Sequence, residues 1–110
     1  MINVSFEGNI LTISFEVDHI DSGNYKEFKS VMQRYIMDGA RFIFNIEALK
    51  FIDSSGLGAF LSILRDLHKV NGDMVMYGAG EAIRILFDLV HLSRVIRTFP
   101  DGEEARRALV

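Results

Sequence analysis

Two hydrophobic periods alternate along this chain, and their order constrains its fold more than any other feature. Apolar residues recur at every second position in residues 2–17 and at helical spacing from residue 57 onward. The complete order of predicted elements is β-β-α-β-α-β-α-β-α. Strands separated by helices pair in parallel, whereas a hairpin is antiparallel, so this order predicts a mixed, mostly parallel sheet with helices packed on it. We therefore expect an α/β fold, with residues 1–110 forming a single domain.

The same periods predict the individual elements. Residues 2–17 form a hairpin with one face on the core, and further strands lie at 41–46, 74–77 and 95–99. The first helix follows Asn24 and stops at Gly39. The second ends near Asn71-Gly72, and Pro100-Asp101 opens the last. The side chains expected to face inward from the four helices are Tyr25, Phe28, Met32, Tyr35 and Ile36; Leu57, Phe60, Leu61, Leu64 and Leu67; Ile83, Leu86, Phe87 and Val90; and Ala105, Ala108 and Leu109.

The composition restricts the class of protein and of partner. Hydrophobic residues make up 49% of the chain, which excludes a mostly disordered protein. A formal net charge of -3 gives no reason to expect a nucleic acid or an anionic membrane as partner. Cysteine is absent, so there are no disulfides and no thiolate metal site. The N-terminus lacks a signal-peptide pattern and no apolar run approaches a membrane span, so we expect a cytoplasmic protein.

The stretch Phe51-Ile52-Asp53-Ser54-Ser55-Gly56-Leu57-Gly58 lies between a predicted strand and a predicted helix. Asp53, Ser54 and Ser55 are residue types that cap a helix start. The first N–H groups of a helix lack partners and its dipole favours negative charge, so a phosphate on a serine would find donors waiting. Gly56 and Gly58 would let a partner's active site approach the hydroxyl closely. Spacing alone favours an ordinary cap and turn, because capping serines are far commoner than regulatory ones.

Motifs for nucleotide binding and hydrolysis are incomplete. Gly78-Ala79-Gly80 follows a predicted strand, but Ile83 stands where a dinucleotide fingerprint needs its third glycine. Ser54 is not in the G-x-S-x-G context of a hydrolase nucleophile. We therefore predict no catalytic residue and no cofactor.

The histidines and the first polar loop give no stronger signal. His19, His68 and His91 have no sequence neighbour that marks them as a catalytic base. Asp18-His19-x-Asp21 could hold a metal ion weakly, but such residues in one polar loop more often cap a helix. We predict no metal site.

Asp53-Ser54-Ser55-Gly56-Leu57-Gly58 resembles the signature of the STAS-domain family, specifically of its bacterial anti-sigma factor antagonists. The predicted element order is similar to that of a STAS domain nearly from end to end. Asp18 takes the place of an acidic residue that the family usually has after the second strand, beside the loop. The loop at 18–24 is less typical, because Gly23-Asn24 begins a helix poorly.

The resemblance implies a switch between partners. Ser54, directly after the aspartate, would be phosphorylated by a kinase that is also the anti-sigma factor and binds ATP, and a serine phosphatase would reverse the step. The residues implied to bind this partner are Asp18, Asp53, Ser54, Ser55, Gly56 and Gly58. Leu57 is expected in the core rather than at the contact.

Two other interpretations remain open from the sequence. The chain could be a STAS scaffold or a transporter-associated domain that keeps the fold and uses the loop differently. It could also be a small flavodoxin-like domain that binds a ligand or catalyses a reaction. The serine at position 54 favours the switch.

Overall fold

The computed structural model describes residues 1–110 and contains seven strands and four helices. The strands are β1 (Ile2–Glu7), β2 (Ile10–Phe15), β3 (His19–Ile20), β4 (Arg41–Asn45), β5 (Phe51–Ile52), β6 (Asp73–Tyr77) and β7 (Thr98–Phe99). The helices are α1 (Tyr25–Gln33), α2 (Ser54–Lys69), α3 (Glu81–Leu89) and α4 (Gly102–Leu109). None of these helices has the length and apolarity needed to cross a membrane.

Five strands form one mixed sheet in the order β1-β2-β4-β6-β7. The β1–β2 hairpin is antiparallel and every other neighbouring pair is parallel, as the order of elements predicts. Ile13, Phe44 and Met76 are paired side by side across the three central strands, and all three are fully buried. This alignment puts their side chains on one face, where they form the floor of the main core.

Helices cover both faces of the sheet. Phe28 from α1 and Phe60 from α2 pack against the sheet residues Phe15 and Phe44, with ring centroids 5.3–6.2 Å apart. Such tilted and edge-to-face aromatic pairs stabilise a core beyond the area that they bury. On the opposite face, α4 contributes Ala105 and Leu109 to a smaller cluster with Ile10, Ile43 and Val75. The α/β architecture with a mostly parallel sheet is therefore confirmed.

Several predicted boundaries are wrong. Helix α1 ends at Gln33 rather than Gly39, because the next amides bond three residues back, as Tyr35 does to Met32, and tighten the chain out of the helix. The predicted strand 95–99 shrinks to Thr98–Phe99, because Leu92–Arg94 forms a 3-10 turn. Strands β3 and β5, two residues each, were not predicted and form a separate parallel pair.

Some predicted inward-facing residues lie on the surface. Phe6, Leu61 and Val90 are exposed although each falls on a predicted apolar stripe. Phe6 lies on the edge strand β1, where its ring contacts only one other aromatic ring, that of Tyr35, at 6.0 Å. Leu57 is half-buried and packs against the main core, in keeping with its expected core role.

Candidate functional site

The pair of short strands β3 and β5 holds the site together. His19 pairs with Phe51 and Ile20 with Ile52, so the chain after β2 lies beside the chain before α2. The carbonyl oxygen of Asp18 accepts the N–H groups of Lys50 at 2.7 Å and Phe51 at 3.3 Å. Asp18 therefore lies beside the 51–58 stretch, although more than thirty positions separate them in the sequence.

Asp53 is the N-cap of α2 and binds two segments at once. Its Oδ1 accepts the N–H of Gly56 at 2.9 Å, and its Oδ2 accepts the N–H of Ser22 at 3.0 Å. The bond from Gly56, together with that from Ser22, holds the pKa of the Asp53 carboxyl below its usual value. Asp53 is therefore a carboxylate at neutral pH, and it clamps the 18–24 loop to the start of the helix.

Asp53 occupies one of the donors that are expected to be free at the start of the helix. It accepts the N–H of Gly56, which leaves the N–H groups of Ser54 and Ser55 as the first helix amides without an intrahelical partner. A phosphate on Ser54 would lie next to the Asp53 carboxylate, so its negative charge would meet a fixed negative charge.

Ser54 and Ser55 are the first two residues of α2, since the helix begins directly after Asp53. Ser54 is exposed and Ser55 is half-buried. Neither hydroxyl makes a hydrogen bond to the chain, because the cap is supplied by Asp53. The Ser54 hydroxyl is thus free to react with a group brought by another molecule.

The two glycines of the stretch differ in their surroundings, and both lie inside α2 rather than in a loop. Gly56 is buried, and a Cβ there would overlap the carbonyl oxygen of Ile20 and lie 2.8 Å from Cγ2 of Ile52. Gly56 is therefore needed for the close approach of α2 to β3. Gly58 is exposed, and a Cβ there would meet nothing within 4 Å. The fold itself does not require a glycine at position 58.

Asp18 and His19 form an exposed pair beside the cap. Asp18 Oδ1 lies 3.0 Å from His19 Nδ1, and this contact lowers the pKa of Asp18 and raises the pKa of His19. The interaction favours the ion pair, so the histidine stays charged to a higher pH than a free imidazole.

The structure also assigns roles to loop residues that the sequence reasoning missed. Asp21 accepts the N–H of Gly23 at 2.9 Å, and the Asn24 side chain bonds to both the Asp21 N–H and the His19 carbonyl oxygen. These bonds hold Ser22 in position to donate to Asp53. The signal was available, because Asp, Ser, Gly and Asn in succession are typical of such side-chain-stabilised turns.

The structure does not bring together the residues of the metal site or of the hydrolase site considered from the sequence. No group of three His, Cys, Asp or Glu side chains is close enough to hold a metal ion, so Asp18, His19 and Asp21 do not form a ligand set. His68 lies fourteen residues along α2 from Ser54, about 21 Å at 1.5 Å per residue, so it cannot activate that hydroxyl.

Comparison with known proteins gives the same family from sequence and from structure. The model of the STAS domain family matches residues 1–105. An anti-sigma-B factor antagonist of Staphylococcus aureus is 30% identical over 74 residues, which cover 66% of this chain and 68% of that protein.

Two solved structures share the fold over almost the whole chain. An anti-sigma-factor antagonist (STAS) domain protein from Planctomyces limnophilus superposes with a TM-score of 0.87 at 15% identity, covering 99% of this chain and 97% of that one. The Bacillus cell fate determinant SpoIIAA in its phosphorylated form gives 0.71 at 22% identity, covering 98% and 99%. On the evidence of its sequence and its architecture, this chain belongs to the STAS domain family.

Proposed function

We propose that this chain is an anti-sigma factor antagonist that works by switching partners. The observation that carries the proposal is the exposed, unbonded hydroxyl of Ser54, fixed at the first residue of α2 beside the Asp53 carboxylate. The names of the relatives support it, since the Staphylococcus aureus protein is an anti-sigma-B factor antagonist. Capture of the anti-sigma factor by this chain would release the sigma factor.

In the unphosphorylated state the start of α2 and the 18–24 loop form the docking face. Asp53 holds these two segments in one arrangement through its bonds to Gly56 and Ser22, so the face needs little reordering on binding. Asp18 and Ser55 lie at its border. Gly58 leaves the helix backbone bare one turn after Ser54, where a partner could approach closely.

Phosphorylation of Ser54 would add about 1.5 to 2 negative charges at neutral pH. Asp53 already accepts the N–H groups of Gly56 and Ser22, so these two donors are not available to the phosphate. In the complex the new phosphate would face the kinase's own nucleotide phosphates and lie beside Asp53. A charge buried without a partner costs an interface several kcal/mol, which is enough to release it.

Under this proposal the partners catalyse the phosphorylation and the dephosphorylation. The anti-sigma factor is a serine kinase that brings ATP and magnesium, and a serine phosphatase restores the hydroxyl. This chain acts as substrate and ligand rather than as an enzyme. Because sigma factors act on transcription, we place the exchange in the cytoplasm.

Mass spectrometry of the chain purified from its own cell, combined with capture experiments, tests the proposal. We expect one phosphate on Ser54, and a kinase that is retained by Ser54→Ala and lost by Ser54→Asp. Met37→Gln is the matched control. Met37 is exposed and precedes β4, so it lies at the N-terminal ends of the parallel strands, whereas the site follows their C-terminal ends. Absence of phosphate under all growth conditions, with equal capture by all forms, would refute the switch.

A further inference from the structure

Large apolar side chains are exposed on the elements around Ser54. The exposed fractions are 54% for Phe51, 39% for Leu61, 53% for Ile85 and 73% for Leu89. We infer that these four residues form an apolar docking surface for the kinase that modifies Ser54. The inference rests on the proposed function, since that kinase is the occupant.

The first part of this docking surface lies along α2. Ser54, Gly58 and Leu61 follow one another at spacings of four and three residues, so they share one face of the helix. The rise of 1.5 Å per residue puts Leu61 about 10 Å from Ser54 along the axis. Gly58 lies between them and adds no side chain. A partner covering Ser54 can therefore follow bare backbone directly onto Leu61.

The second part lies across β5 on α3. Strand β5 packs against both α2 and α3, and its exposed Phe51 precedes Ser54 by three residues. Ile85 and Leu89 are one turn apart and both exposed, which puts them on the outward face of α3. The exposed apolar residues are thus distributed over three neighbouring elements that meet at the start of α2.

The size of an interface points to the kinase as the occupant. Specific protein interfaces bury about 800 Å² on each partner and have an apolar centre, which one serine and its loop do not supply. Phosphoryl transfer also requires the Ser54 oxygen to lie roughly 3–3.5 Å from the reacting phosphorus, so the kinase must cover the surrounding surface.

The charges at the border of the docking surface indicate the charge of the partner's surface. Asp18 and Asp53 carry carboxylates beside Ser54 at one end of the docking surface, whereas Arg65 is exposed one turn beyond Leu61 at the other end. A complementary partner has an apolar centre with Lys or Arg residues facing these acids. Its association should therefore weaken as salt is added.

Steady-state kinetics of Ser54 phosphorylation test this inference. The enzyme is the purified kinase that the capture experiment with the Ser54 variants identifies. Leu61→Gln and Ile85→Gln remove the apolar contacts and retain good helix formers. Because neither change touches the reacting hydroxyl, we expect the KM for this chain to rise about tenfold or more with kcat nearly unchanged. Met37→Gln removes an apolar side chain that is 57% exposed, at least as much as those of Leu61 and Ile85, away from the site and should leave both constants unchanged.

The possible results separate this inference from the proposed function. If the kinase phosphorylates Ser54 and both glutamine variants keep the wild-type KM, the docking surface is refuted and the switch stands. An equal rise in KM for Met37→Gln would also refute it, because the effect would not be specific to this surface. If no kinase modifies Ser54, the proposed function and the docking surface are refuted together. Circular dichroism of each variant confirms that the fold is intact.

Discussion

Gly58→Ala should make the chain more stable and its partner binding weaker. A glycine inside a helix costs about 0.5–1 kcal/mol relative to alanine, because its backbone loses more freedom on folding. The added methyl group meets nothing within 4 Å, so no clash offsets this gain. At about 4–8 °C per kcal/mol for a domain of this size, we expect the melting temperature to rise by roughly 2–8 °C.

The same methyl group should obstruct a partner that approaches the bare backbone after Ser54. Overpacking a fitted contact costs about 1–3 kcal/mol, which corresponds to roughly 5- to 150-fold weaker binding. Thermal unfolding followed by circular dichroism measures the first effect. Calorimetric titration with the kinase, in a Ser54→Ala background so that no phosphate forms, measures the second.

Either of two results would refute this reasoning. A lower melting temperature for Gly58→Ala would show that position 58 has a structural role that the open space around it does not reveal. A higher melting temperature with unchanged affinity would show that the partner does not approach Gly58. Only a higher melting temperature together with weaker binding identifies a glycine that favours binding at the expense of stability.

Three other substitutions test the site. Asp53→Ala removes the cap, so the free energy of unfolding should fall by about 1 kcal/mol in urea titrations, with more rapid hydrogen exchange in the 18–24 loop; an unchanged stability would contradict the clamp. Gly56→Ala should destabilise the chain by about 1–3 kcal/mol or more, because its Cβ overlaps the Ile20 carbonyl oxygen, whereas a stabilising effect would show that α2 can move away. The raised pKa of His19 means that its pairing with Asp18 stabilises the fold below about pH 6.5 and is lost as the pH rises through the folded-state pKa. The melting temperature should thus fall as the pH rises above about 6.5, and less so in His19→Gln; equal slopes would argue against the pair.

The sequence by itself determined the order of the four helices and of the five strands of the main sheet, and it located the start of α2 near the serine pair. Alternation in Leu11, Ile13 and Phe15 predicts a half-buried strand, because side chains of a strand alternate between two faces whatever lies elsewhere in the chain. Asp53, Ser54 and Ser55 likewise predict a helix start within this stretch, because capping involves only the residue and the next turn. These features depend only on residues that are close together in the sequence, and the structure confirms them.

Tertiary structure alone decided how the site is held. The bond from the Ser22 N–H to Asp53 joins residues 31 positions apart, and no local pattern contains it. Gly56 and Gly58 look alike in the sequence, yet only Gly56 lies against the Ile20 backbone. Whether a position is buried, bonded or open depends on segments that come together only when the sheet and the helices pack. The sequence therefore located the candidate site, whereas packing determined which of its residues hold the fold and which are left exposed.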